Sequence, residues 1–108
     1  MKRTSRTFSI VLLGGAICPS WLFAQGDPAA LFKSKCVMCH GEDGSGSTPS
    51  GKALKAKDLR SDEVQKNSDA ELTDVITKGR NKMPAFGAKL KPDQIQQLVV
   101  YIRHLGKK

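Results

Sequence analysis

Cys36-Val37-Met38-Cys39-His40 is the stretch on which the reading of this chain turns. Its pattern, C-x-x-C-H, is the signature of covalent haem attachment. Two thiols three positions apart near a helix end can reach the two vinyl groups of a porphyrin. The adjacent histidine then lies under the iron as an axial ligand. Other uses of these side chains fit less well. A thioredoxin-like redox pair needs a βαβ context, and the chain shows none. A tetrahedral zinc site needs about four ligands, and beyond residue 24 the chain offers only two cysteines and two histidines. A plain disulfide leaves His40 without a role and the core unfilled.

Upstream of the motif, residues 1–24 read as a secretory signal peptide. Lys2, Arg3 and Arg6 form a basic start, Phe8 to Ile17 is an apolar run, and Pro19 breaks it before Ala24. Ile17 does not suit the small residue that a lipoprotein signal places before its cysteine. As an uncleaved anchor, Phe8 to Ala24 would be only 17 residues, the bottom of the spanning range. The expected domain is therefore 25–108.

The full chain has 108 residues, a formal charge of +8, 39% hydrophobic and 6% aromatic residues. Without the signal, 15 basic side chains stand against 10 acidic ones, a net +5, and the aromatics reduce to Phe32, Phe86 and Tyr101. A domain of this size buries only roughly 60% of its unfolded surface. It needs a disulfide, metal or cofactor to complete its core. A large multidomain enzyme is excluded.

The remaining pattern predicts an all-α domain of three to four short helices with long loops wrapped around one haem. Asp27-Pro28 caps and opens a helix running towards Cys36. Residues 41–52, rich in Gly and Ser, read as irregular loop, with Leu54 and Leu59 as apolar footholds beyond it. Ser61 suits the cap of a short helical turn ending near Asn67. Ser68 and Glu71 form a capping box, followed by Leu72, Val75 and Ile76 on one face and Gly79 at the end. A second loop spans 80–90. Lys91-Pro92 then opens a last helix with Ile95, Leu98, Val99, Ile102 and Leu105 on one stripe.

Of the three methionines, Met1 leaves with the signal, and Met38 lies between the two cysteines, too close to reach the opposite haem face. Met83 is left, 43 residues after His40 in the second loop, which Pro84 stiffens. It is the expected sixth ligand. The rival, His104, falls roughly 140° from the centre of the apolar stripe on the last helix, at 100° per residue, and is expected to face water.

Taken together, CVMCHG, KMPAFG and LVVYIRHL, in this order and spacing, resemble the class I cytochromes c, small single-haem proteins, over residues 26–106. The resemblance implies the cytochrome c fold and haem c bound through Cys36 and Cys39, with His40 and Met83 on the iron. It also places Phe32 where an aromatic packs the first helix on the last, against Leu98 and Tyr101. Pro49 stands where a proline carbonyl accepts from the axial histidine. Leu54, Leu59, Leu72, Val75, Ile76 and Phe86 become the haem-pocket core. Many relatives hold a haem propionate with Trp or Tyr. Here no Trp follows the signal, so Arg60, Arg80 or Lys82 is expected to substitute.

Two axial ligands leave no open position on the iron, which points to one-electron transfer rather than oxygen or peroxide chemistry. The expected protein is a monomeric periplasmic carrier between respiratory or dehydrogenase partners. A cytochrome subunit docked in a dehydrogenase or oxidase is the alternative, and an enzyme with a labile Met83 is a third reading. Lys78, Arg80, Lys82, Lys89 and Lys91 flank Met83 without an acid between them, whereas residues 58–74 carry net −4. That dipole favours partners with acidic patches. Nucleic acid is disfavoured, because no aromatics interleave with the basic residues.

Overall fold

The structure is a computed structural model, and it describes residues 10, 14, 15 and 26–108. The expected signal peptide lies otherwise outside the described residues. Six helices follow in order: α1 Pro28–Lys35, α2 Val37–His40, α3 Pro49–Leu54, α4 Asp62–Gln65, α5 Asp69–Lys78 and α6 Pro92–Leu105. Among the described residues there is no strand, only an isolated bridge between Arg80 and Met83. None of these helices is long and apolar enough to cross a membrane.

Local chemistry sets most of the boundaries. Asp27 accepts from the Ala29 amide ahead of Pro28, which needs no donor of its own. Ser68 accepts from Glu71 N at 3.1 Å while the Glu71 carboxylate accepts from Ser68 N at 2.7 Å, a closed capping box. At α6 the Gln94 side chain accepts from Lys91 N at 2.8 Å, and Pro92 again opens the helix.

Two expectations are corrected. Residues 41–52 are not irregular throughout, because α3 begins at Pro49. Thr48 caps it by accepting from Gly51 N, Pro49 is its first residue, and Lys55 ends it in the left-handed region at φ 56°. These local signals outweigh the Gly and Ser content. The first helix runs towards Cys36 as expected and ends at Lys35. Cys36, at φ −119°, separates it from α2, so the haem motif has its own short turn. Among the described residues the count of helices therefore rises from the expected three or four to six.

The core forms where α6 meets α1 and α5. Phe32, Leu98 and Val99 are fully buried, and the Phe32 and Tyr101 rings lie 4.8 Å apart, joining α1 to α6. Leu59, Val64, Leu72, Ile76, Phe86, Leu90, Ile95, Ile102 and Leu105 complete the cluster. Leu54, read as core, is 41% exposed at the end of α3, and Val75 is half-buried. The α5 stripe turns Leu72 and Ile76, four residues apart, inward and leaves Val75 at its margin.

Arg103 fastens the α4–α5 connection to α6. Its guanidinium donates to Gln65 O at 2.8 Å and to Asn67 O, and pairs with Asp69 at 2.9 Å. Gln65 in turn donates to Leu59 O and Ile102 O. Gln65 O and Asn67 O, at the end of α4 and just beyond it, are thereby satisfied by Arg103.

Candidate haem-attachment site

The motif occupies one helical turn. Cys36 N donates to Phe32 O, closing α1, and His40 N donates to Cys36 O at 2.9 Å, closing α2. Cys36 and Cys39 are both free and half-buried. Burial, with Cys39 close by, pushes the Cys36 thiol up to about 11, so it is protonated at neutral pH.

The His40 ring is fixed by one bond: Nδ1 lies 3.0 Å from Lys57 O. A carbonyl can only accept, so Nδ1 carries the hydrogen and Nε2 keeps its lone pair. Burial holds the imidazole below its ordinary value, only partly opposed by the Lys57 bond, which favours the neutral ring. The expected acceptor was Pro49, and this is corrected. Pro49 sits at the first position of α3, and the carbonyl that faces the ring comes from Lys57, beyond the end of that helix.

Packing of α3 on α2 explains the change. Thr48 Oγ1 donates to Met38 O at 2.7 Å and lies 3.2 Å from Cys39 O, while accepting from Gly51 N at 2.9 Å. One hydroxyl thus joins the end of α2 to the start of α3. Gly46 N donates to His40 O at 2.7 Å and Ala56 N donates to Gly51 O at 2.8 Å. Gly51 is buried, and a Cβ built there would overlap the carbonyl oxygens of Cys39 and Gly46. Only glycine allows α3 this close, and the close approach carries Lys57 to the imidazole. Thr48-Pro49 is a cap signal of the same form as Asp27-Pro28, so α3 was legible. Lys57 was not, since its carbonyl is shared by every residue type.

Met83 is half-buried and packs against the same apolar cluster that Cys36 and Val37 touch. Leu59 is buried, and its amide donates to Gly44 O at 2.7 Å. Arg60 is exposed and engaged by carboxylates: its Nε is 3.1 Å from Asp58 and its Nη1 is 3.7 Å from Asp43. Arg80 and Lys82 are exposed in the turn before Met83. His104 is exposed on α6, and Met38 is 77% exposed.

The donor set fits a haem better than a bare metal ion. Among the described residues no three His, Cys, Asp or Glu side chains gather into a cage. A porphyrin brings its own four nitrogens and asks the chain for at most two axial atoms plus thiols for the vinyl groups. A neutral imidazole with a free Nε2, a thioether against the apolar cluster and two free thiols meet that demand.

Comparison with known proteins agrees. Residues 24–102 match the family described as Cytochrome C oxidase, cbb3-type, subunit III. Cytochrome c6 of Nostoc sp. is 34% identical over 94% of this chain and 93% of its own length. The FixP subunit of a cbb3-type cytochrome c oxidase from Azorhizobium caulinodans is 38% identical over 77% of this chain, which spans only 30% of that subunit. A solved c-type cytochrome, KustC0563, superimposes with a TM-score of 0.69 at 33% identity, covering 74% of this chain and 98% of its own.

Proposed function

The chain belongs to the class I cytochromes c, with their fold and a covalently bound haem c, and from that premise we propose that it is a free one-electron shuttle held to its haem by Cys36, Cys39, His40 and Met83. It is an electron-transfer protein, not an enzyme, and redox proteins are its partners. When bound, haem c supplies a ferric/ferrous couple. The Cys36 and Cys39 thiols would hold the haem by adding S–H across its vinyl groups, giving thioethers without a further oxidant. His40 would bind it through Nε2, its ring aimed by Lys57 O. Met83 would hold it through its thioether, a soft donor that would favour the ferrous state.

The observation that carries this reading is the His40–Lys57 bond, which leaves one ring nitrogen as a ready ligand beside two free thiols. The free-carrier reading, as against a docked subunit, is supported by the likeness to cytochrome c6, which covers 93% of that protein's length. A cleaved signal at 1–24, as the sequence suggests, would deliver the carrier to the periplasm. Charge supports docking through the Met83 face. Among the described residues Arg80, Lys82, Lys89 and Lys91 make no ion pair, whereas Asp58, Glu63, Asp69 and Asp74 are each paired with a base. Pairing takes up four of the six acids of 58–74 but only Lys78 of the basic stretch, which leaves Arg80, Lys82, Lys89 and Lys91 to act on a partner.

The test is the visible spectrum of the purified protein after acid–acetone extraction, oxidised and reduced, for the wild type and Met83→Ala. Haem retained by the polypeptide, with a weak far-red methionine-to-ferric-iron band that Met83→Ala abolishes, is the expected result. Retained haem without that band in the wild type refutes Met83 as ligand, and haem lost to the acetone refutes attachment at Cys36 and Cys39.

A further inference from the structure

Three backbone bonds tie the loop that carries Met83 to the C-terminal end of α5. Gly79 N donates to Val75 O at 2.8 Å, Phe86 N to Ile76 O at 2.9 Å and Gly87 N to Thr77 O at 3.0 Å. The loop is thus the cap of α5, satisfying carbonyls that any helix end leaves open. Within it, Arg80 and Met83 exchange both backbone bonds, Met83 N to Arg80 O at 2.9 Å and Arg80 N to Met83 O at 3.2 Å. A two-residue turn, Asn81-Lys82, joins them, with Asn81 at φ 53°.

Gly79 stands at the hinge of this arrangement. Its backbone, φ 74° and ψ 168°, lies in a region that is essentially closed to residues with a Cβ. A Cβ there would come within 2.6 Å of Met83 O, 2.9 Å of Ala85 N and 3.0 Å of Pro84 C. All three atoms are backbone, so no rotamer change relieves the overlap. Moving Met83 O from 2.6 Å to even 3.0 Å displaces the ligand-bearing backbone by 0.4 Å.

We propose that Gly79 is a positioning residue for the iron ligand: its bare Cα is the surface on which the Met83–Pro84–Ala85 backbone rests, and this seat sets where the Met83 sulfur lies. The inference rests on Met83 as ligand. It assigns the placement of that sulfur to a residue four positions away along the chain.

Gly79→Ala, compared with the wild type, Met83→Ala and Val99→Ala, tests it in the holoprotein. Val99 is 2% exposed in the core on α6 and is not among the atoms that a Cβ at Gly79 would meet, so its truncation destabilises the fold from a different element. Gly79→Ala should keep its covalent haem, lose most of the far-red band, lower the midpoint potential and bind imidazole in the ferric form about tenfold more tightly. Val99→Ala should melt at a lower temperature and keep the band. A Gly79→Ala spectrum like that of the wild type, with imidazole affinity within roughly twofold, overturns the role. So does loss of the band in Val99→Ala to the same degree, since general destabilisation would then explain both. If Gly79→Ala does not accumulate, Gly87→Ala carries the test, because its Cβ would meet Thr77 O at 3.0 Å and lift the far end of the same segment. An unchanged band in that variant overturns the proposal. A wild type without the band overturns the ligand reading itself, which Met83→Ala distinguishes by leaving the spectrum unaltered.

Discussion

Replacing Thr48 by valine removes a single hydroxyl and keeps the shape of the side chain. In the native protein that hydroxyl donates to Met38 O at 2.7 Å and accepts from Gly51 N at 2.9 Å. Loss of the N-cap bond costs about 1 kcal/mol. Loss of the donor to the α2 carbonyl adds about 1 kcal/mol, the ordinary net contribution of one hydrogen bond. The sum is about 2 kcal/mol, which lowers the melting temperature of a domain this size by about 8–16 °C. Thermal denaturation of the holoprotein, followed by far-UV circular dichroism, reads the shift. Thr48→Ser, which keeps the hydroxyl, should stay within about 3 °C of the wild type. A valine variant that melts like the serine variant refutes the reasoning, since the hydroxyl would then contribute nothing to the α2–α3 junction.

Phe32→Ala should cost about 3–5 kcal/mol, because the ring is fully buried against Tyr101 between α1 and α6; denaturant titration of the holoprotein checks this, and a loss under about 1 kcal/mol contradicts the packing. Charge reversal at Arg80 and Lys82 should slow electron transfer to an acidic redox partner and flatten its dependence on ionic strength in stopped-flow traces. An unchanged salt dependence places docking elsewhere. Asp58 is held below the ordinary carboxylate value chiefly by its bond to the Arg60 side chain. A depressed carboxyl stabilises the folded state above its unfolded value of about 3.8 and loses that contribution as the pH falls through the folded value. The pair is at the surface, so Asp58→Asn should cost no more than about 0.5 kcal/mol at neutral pH. That difference should shrink as the pH falls through the depressed value of the folded carboxyl, and a difference that grows on acidification contradicts the assignment.

Much of this molecule was decided by short-range chemistry that a sequence displays. Asp27-Pro28, Ser68 with Glu71, and Lys91-Pro92 each state where a helix starts, because capping uses side chains within three residues. The stripe Ile95, Leu98, Val99, Ile102 and Leu105 states which face of α6 is buried, and all five are buried. The C-x-x-C-H spacing and the scarcity of other sulfur ligands named the residues proposed to hold the haem. Tertiary structure decided what those residues rest on. Lys57 offers His40 a backbone carbonyl, and no side chain advertises that. Gly51 and Gly79 are two glycines among ten, and their role appears only when a built Cβ meets the backbone of Cys39 or of Met83. Leu54 looked like core by its chemistry, yet its place at the end of α3 leaves it exposed. Caps and stripes are local and periodic, so they are written in order along the chain. The seats of His40 and Met83 depend on how closely distant backbones approach, and that distance is set only when the helices pack.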